Sequence, residues 1–419
     1  MRALCLAIAL LTSVVGSSGA PAIPASEYKA RRAALRKGLD GTIALFGRVE
    51  GADEVYEFLQ EPHFLYLTGW TEPGATLLLT PTEEILFLPP HDEKREKFTG
   101  KRSSAEDASS RSVSGFETIM GTQNLESALD HAFSEREKVY TLASQTLGER
   151  LKARYPFREI SDASPLISKL RMKKSPAEVA AIQHATDVTI AGHRAAWKRM
   201  SAGLYEYQLA ATVSNVYLES GCDRHAYAPI VGSGPNGIVL HYSANSRRMD
   251  LGELLLMDTA AQCSDYASDV TRTIPVSGKF TPRQRELYEI VLGAQNAVIA
   301  AMKPGVRMGG PPGDEDPHTL KKIAVDYMNA HGKDRHGEPL GKYFIHGLGH
   351  NVGLDVHDAT VPGPLEEGMV VTVEPGIYIP EEGIGIRIED VVLVTAKGSK
   401  VLSAALPREP DEIEKALAK

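Results

Sequence analysis

Five side chains in the C-terminal half of this 419-residue chain have the types that hold metal ions, and each lies beside an apolar, strand-like run. Asp258 closes LLLM (Leu254 to Met257), and Asp269 lies on the expected return strand within SDVTRT (Ser268 to Thr273). If the intervening residues form a hairpin, these two carboxylates meet. His350 sits in HGLGHNVGLDVH (His346 to His357), Glu374 in VVTVEPG (Val370 to Gly376) and Glu389 in GIRIED (Gly385 to Asp390). A carboxylate after an apolar strand is costly to desolvate unless a cation neutralises it. Four carboxylates and one imidazole form a hard, oxygen-rich set whose charge suits two divalent ions better than one. Such donors favour manganese, and cobalt, zinc or iron also fit. Two ions about 3.5 Å apart share a water, lower its pKa and polarise a carbonyl, so amide hydrolysis is the natural reaction. Taken singly, however, an acid at a strand end is usually solvated or paired.

These residues need a scaffold, and the sequence divides into two parts. From Ser26 to about 165 the pattern mixes helix and strand. Tyr28 to Leu39 reads as a basic amphipathic helix, and Ala75 to Thr80 and Glu84 to Leu88 as apolar strands flanking a turn at Pro81 and Thr82. Gly100 to Gly115, rich in serine and charge, reads as an exposed loop. At Ser175 the string SPAE forms a capping box with proline at the first helical position, opening a helix that runs to about Met200. A second box, TPRQ (Thr281 to Gln284), opens another that ends near Lys303. Gly252 to Val276 reads as strand, turn and strand, Pro317 to Ala330 as helix, and Tyr343 to Val401 as strand-rich. The expectation is an α+β domain over 175–405, a largely antiparallel sheet with covering helices, preceded by a smaller mixed α/β domain over 26–165 and followed by a tail over 406–419.

Composition narrows the partners. A formal net charge of -8 offers no basic field for a nucleic-acid backbone or an acidic membrane. The first residues follow the signal-peptide plan over 1–22: Arg2, an apolar run from Ala3 to Val15 too short to span a bilayer, then small residues. A secreted or periplasmic enzyme, free of the membrane in its mature form, is the expectation. Of three cysteines, Cys5 lies in that leader. Cys222 and Cys263 could pair in an oxidising compartment, but two buried thiols acting as small apolar residues is the expected reading.

The segments IVGSGPNGIVLHYSANS (Ile230 to Ser246), MDTAAQCSDYASDVTRTIPVSGKFTPRQRELYEIVL (Met257 to Leu292), HGLGHNVGLDVHD, VEPGIYIPEE and GIGIRIED together closely resemble the pita-bread metallopeptidases, within them aminopeptidase P and prolidase. YEFLQEPHFLYLTGWTEPGATLLL (Tyr56 to Leu79) and FTGKR (Phe98 to Arg102) resemble the N-terminal domain of that subgroup, so the likeness covers essentially the whole mature chain. The resemblance implies that Asp258 chelates one metal, Asp269 and Glu389 bridge both, and His350 and Glu374 bind the second. It makes Glu374 the general base. It also places His241 and His357 beside the scissile carbonyl and leaving nitrogen, and His346, Tyr378 and Arg387 around the substrate or bracing the ligands. The implied substrates are peptides with proline in second position. An Xaa-Pro amide has no N–H and carries a rigid ring, so a peptidase that reads an extended, hydrogen-bonded backbone handles it poorly. Prolidase is the nearest rival. Methionine aminopeptidase usually lacks the N-terminal domain, creatinase resembles the fold without the metal set, and binding modules of this fold have lost the site. Relatives often assemble through their N-terminal domains, so a homo-oligomer is expected.

Two motif matches are discounted. GSGPNG (Gly232 to Gly237) fits a dinucleotide fingerprint but leads into the strand-like IVLHY, so it reads as a turn. His346 and His350 have the spacing of helical zinc ligands, but Gly347 and Gly349 suit a helix badly, and the segment reads as loop and strand.

Overall fold

The computed structural model describes residues 21–51, 57–135, 138–142, 146–310 and 316–418. The leader expected over 1–22 lies almost wholly outside them. The N-terminal part comprises helices α1 (Ala25–Arg36), α2 (Pro62–Thr68), α3 (Glu93–Thr99), α4 (Ala108–Ser114), α5 (Leu125–Glu135), α6 (Thr146–Arg154) and α7 (Ser164–Arg171). They surround one mixed sheet of β1 (Thr42–Phe46), β2 (Thr76–Leu79), β3 (Glu84–Leu88), β4 (Thr118–Gly121), β5 (Lys138–Thr141) and β6 (Glu159–Asp162). The order is β4-β3-β2-β1-β5-β6, antiparallel at β1/β2 and β2/β3 and parallel elsewhere. Gly100–Gly115 is not simply a loop, since α4 occupies its second half. Ser110 Oγ and Ser114 Oγ are buried and donate to the carbonyls of Ser104 and Ser110, so serines that look solvent-facing in sequence are used internally.

The second part opens with α8 (Pro176–Arg199), whose capping box forms as the sequence predicts, Ser175 Oγ accepting from Glu178 N and Glu178 accepting from Ser175 N. Then follow α9 (Glu206–Glu219), β7 (Arg224–His225), β8 (Ile230–Ser233), β9 (Leu254–Asp258), β10 (Ala261–Cys263), β11 (Tyr266–Ala267), β12 (Thr271–Pro275), α10 (Pro282–Ala301) and α11 (Leu320–His331). The chain ends with β13 (Val370–Val373), β14 (Gly376–Ile379), β15 (Ile384–Arg387), β16 (Asp390–Thr395), β17 (Gly398–Val401) and α12 (Pro410–Leu417). All strand pairs here are antiparallel, in the sets β8-β9-β12, β13-β16-β17, β14-β15 and β7-β10-β11. The expected α+β architecture is therefore present. One hydrophobic cluster runs from Leu35 and Ile43 in the first part to Leu417 in the last helix, so the two parts share a core.

Four further expectations need correction. Residues 343–369 are mostly irregular rather than strand-rich, because their backbone bonds go out to β13 instead of along a ladder of their own: Val352 N donates to Val370 O and Thr372 N to His350 O. The segment after Ile238 is an irregular loop, not a strand. The expected tail over 406–419 is ordered in its described part, 406–418, where α12 buries Ile413 and Leu417. Cys222 and Cys263 form a disulfide rather than two free thiols; it joins the turn after α9 to β10. Among the described residues no helix is long and apolar enough to cross a membrane.

Candidate metal centre and active site

Asp258 and Asp269 meet through a hairpin of unusual build. β9 and β12 pair with Thr271 opposite Asp258, and the excursion β10–β11 lies between them, so Asp269 stands just before β12 rather than within it. Glu374 follows β13 directly, and Glu389 lies in the short link between β15 and β16. His350 is brought in by tight packing of HGLGH on β13. A side chain on Gly349 would collide with the carbonyl oxygen of Thr372, so glycine is required there. The GSGPNG turn has a similar purpose. It is a short 3-10 turn, and a Cβ on Gly385 of β15 would collide with Gly237 O, so the glycines permit close backbone approach.

One cavity of about 610 Å³ collects the acids and histidines: Asp258, Asp269, His350, Glu374, Glu389, His241, His346, His357 and Arg387 all line it. Tyr378 stands behind the wall, buried, with its hydroxyl near His346 Nε2 at 2.9 Å. A larger cavity of about 810 Å³ lies in the N-terminal part. There Glu50 pairs with both Arg95 and Arg102.

Ligand atoms of Asp269, His350 and Glu389 lie within 4.8 Å of one another. His350 Nε2 is 3.3 Å from Asp269 Oδ2 and 3.6 Å from Glu374 Oε1. Asp258 joins the group through Tyr227, whose hydroxyl contacts Asp258 Oδ1 and lies 2.6 Å from Asp269 Oδ1. Thr271 Oγ1 donates to Glu389 Oε2 at 2.6 Å. Arg387 spans the floor, donating to Asp258 Oδ2 at 2.6 Å, Tyr378 OH at 2.8 Å and Thr271 Oγ1 at 3.2 Å. Sequence reasoning missed Tyr227 and Thr271. Neither carries a signal beyond standing near an acid in space.

The electrostatics show unmet negative charge. Burial and then Asp269 drive the Glu389 carboxyl well above its ordinary range. Burial, only partly offset by His350 and Arg387, lifts Glu374 to about 7. Burial raises Asp258 despite Arg387. His350 moves oppositely: burial depresses it, but Asp269 and Glu374 outweigh burial and hold it at about 9. Burial, reinforced by Arg387, lowers His346 to about 3, and burial with His350 lowers His357. Buried acids that resist ionisation until positive charge arrives fit divalent cations by their donor chemistry.

A mixed domain, a shared core and an acidic pocket at the ends of antiparallel strands define a two-domain metallopeptidase. The chain belongs to metallopeptidase family M24, whose model matches residues 180–396, and residues 28–140 match the aminopeptidase P N-terminal domain. It is 35% identical over 428 residues to a Xaa-Pro aminopeptidase of Haemophilus influenzae, covering 94% of this chain and 97% of that one. Aminopeptidase P from Escherichia coli with the inhibitor Pro-Leu superposes with a TM-score of 0.82 at 30% identity, covering 94% of this chain and 98% of that one. The same values hold for the zinc-substituted Escherichia coli enzyme in complex with product.

Proposed function

We propose that the protein is a Xaa-Pro aminopeptidase, a metallo-exopeptidase that removes the first residue from peptides with proline in second position. The observation that carries this is the meeting of Asp258, Asp269, His350, Glu374 and Glu389 in one pocket. Support also comes from relatives of that name matched over nearly their full length. These five residues would hold two divalent ions, with manganese favoured by the oxygen-rich donors. When bound, such ions polarise the scissile carbonyl and acidify a water. Glu374, whose carboxylate stands in the pocket beside His350, would take the proton of the attacking water. His346, held neutral, sits between Tyr378 and Glu374, with Nδ1 3.7 Å from Glu374 Oε2. His241 and His357 donate to charge developing at the carbonyl and leaving nitrogen. Arg387, braced on Tyr378, fixes Asp258 in place. Tyr227, Ile230, Leu240 and Val356 supply an apolar wall suited to a pyrrolidine ring.

Residues 26–165 form the N-terminal unit and 175–405 the catalytic one, in an enzyme exported by its leader over 1–22 and assembled as a homo-oligomer. The Cys222–Cys263 disulfide supports an oxidising compartment. The deciding experiment compares manganese-loaded and chelated protein on Xaa-Pro-Xaa tripeptides, Xaa-Pro dipeptides and Xaa-Ala-Xaa controls. Tripeptide cleavage at the Xaa-Pro bond, lost on chelation, is expected. Strict refusal of the tripeptide with cleavage of the dipeptide would make the protein a prolidase instead.

A further inference from the structure

The stretch that leaves the N-terminal part ends in buried ionic contacts to the loop carrying His350 and His357. Arg171, the last residue of α7, directs Nη2 to Asp358 Oδ1 and, at 3.0 Å, to Asp355 Oδ2. Its Nη1 lies 3.3 Å from Nδ1 of His63 on α2. Lys174, three residues on, donates from Nζ to Asp358 Oδ2 at 2.7 Å and to the carbonyl of Arg171 at 2.8 Å. The side chains of Arg171, Lys174 and Asp358 are 2%, 0% and 2% exposed, so solvent does not screen the triad. Burial pushes the Asp358 carboxyl upward, but Lys174 and Arg171 outweigh it and hold it at about 2. Burial and Arg171 lower His63 to about 4, so its neutral ring can accept from the guanidinium.

Asp358 sits at the closing point of a tight loop. Its backbone N–H donates to Asn351 O at 2.8 Å, and Gly353 N–H donates to Asp355 O at 3.0 Å. The carboxylate of Asp358 also fills the space that a side chain at residue 353 would need. Folding 351–358 back on itself sets the ring of His357 against that of His350, centroids 3.9 Å apart. A triad with this chemistry could serve stability alone. Its location argues for more, because Arg171 and Lys174 both reach Asp358, the residue next to His357, and neither lines the pocket.

We infer that Arg171 and Lys174 are positioning residues, which act through Asp358 to hold His357 over His350 and so tie the N-terminal part to the geometry of the reaction. This rests on the metallopeptidase reading of the pocket. The test is a double-mutant cycle between Arg171→Lys and His357→Ala in the manganese-loaded full-length chain. Arg171→Lys keeps the charge but loses the fork that reaches Asp355, Asp358 and His63 together. Expected for Arg171→Lys are a cooperative melt, wild-type metal content by elemental analysis, KM within about twofold and kcat lowered roughly 10- to 100-fold. In the His357→Ala background the same change should alter kcat by less than about twofold, since the residue it acts through is gone. Equal losses in both backgrounds, or an unchanged kcat, overturn the inference. If Arg171→Lys does not fold, Asp355→Asn, at a half-exposed partner, enters the same cycle with the same two outcomes. A second readout needs no activity. In metal-free protein the His357 ring resonances should shift in Arg171→Lys while those of the buried His193, which has no contact with the triad, stay in place. A wild type inactive on every Xaa-Pro peptide would refute the proposed function, and the ring resonances would still decide the positioning role, an unmoved His357 signal refuting it.

Discussion

Arg387 Nη2 lies 2.6 Å from Asp258 Oδ2, and the pair is almost withdrawn from solvent. Arginine keeps its charge under all ordinary conditions, so it is the permanent cation among four acids of the pocket. Replacing it by Gln leaves Asp258 buried without compensation, a cost of about 3–5 kcal/mol. Divalent ions supply positive charge at the same place. The metal-induced rise in Tm should therefore be larger in Arg387→Gln than in the wild type, as read by calorimetry with and without chelator. An equal or smaller rise would mean that Arg387 does not neutralise the acids.

Burial lifts the Glu374 carboxyl to about 7 in the metal-free pocket, and His350 offsets part of that rise. Glu374→Gln preserves shape and removes the base. On an Xaa-Pro-Xaa tripeptide kcat should fall about 10²- to 10⁴-fold, with KM changed far less. A loss under tenfold, with metal still bound, would move the proton-accepting role elsewhere.

The disulfide gives a prediction about stability alone. Cys222 and Cys263 are 41 residues apart, and neither lines the pocket that holds the metal-binding groups. Chain-entropy arguments assign a loop of that length about 4 kcal/mol. The Cys222→Ser, Cys263→Ser double variant should unfold at lower urea concentration while keeping kcat, and a reductant should bring wild type to the same midpoint. A wild-type midpoint that does not respond to reductant would show the bond absent in solution.

Much of this arrangement is legible in sequence, and the reason is local. The capping boxes at Ser175 and Thr281 start α8 and α10 because their bonds close within three residues. Apolar runs ending in an acid mark β9 and β13. What escapes is long-range. The irregular course of 343–369 depends on hydrogen bonds exchanged with β13, and the disulfide on a turn and a strand meeting far apart in sequence. Tyr227 becomes notable only once Asp258 and Asp269 are side by side. The last helix is different, for Pro410 at its start, Asp411 and Glu412 in its first turn, and Ile413 with Leu417 one turn apart are a readable signal in an apparent tail.

His193, which does not line the pocket, makes the pH dependence of stability testable in metal-free protein. It is fully buried on α8; Nε2 is 3.0 Å from the carbonyl of Val270, and Nδ1 has no partner. Burial, with Arg272 adding to it, lowers its pKa from 6.5 to about 4. Above pH 6.5 the ring is neutral in both folded and unfolded chains and exerts no pH dependence. Below 6.5 the unfolded chain takes up a proton that the folded one refuses, so stability falls as pH drops, until the folded ring is protonated too near pH 4. Linkage puts the loss from this residue at about 3 kcal/mol across that window. His193→Gln retains an N–H for Val270 and removes the titration. Urea midpoints of metal-free protein, taken from pH 7 to 4, should fall less steeply in the variant than in wild type, which cancels the carboxylates common to both. Parallel curves would mean that His193 titrates alike in folded and unfolded chains and that its surroundings are wetter than the packing of α8 on β10 and β11 shows.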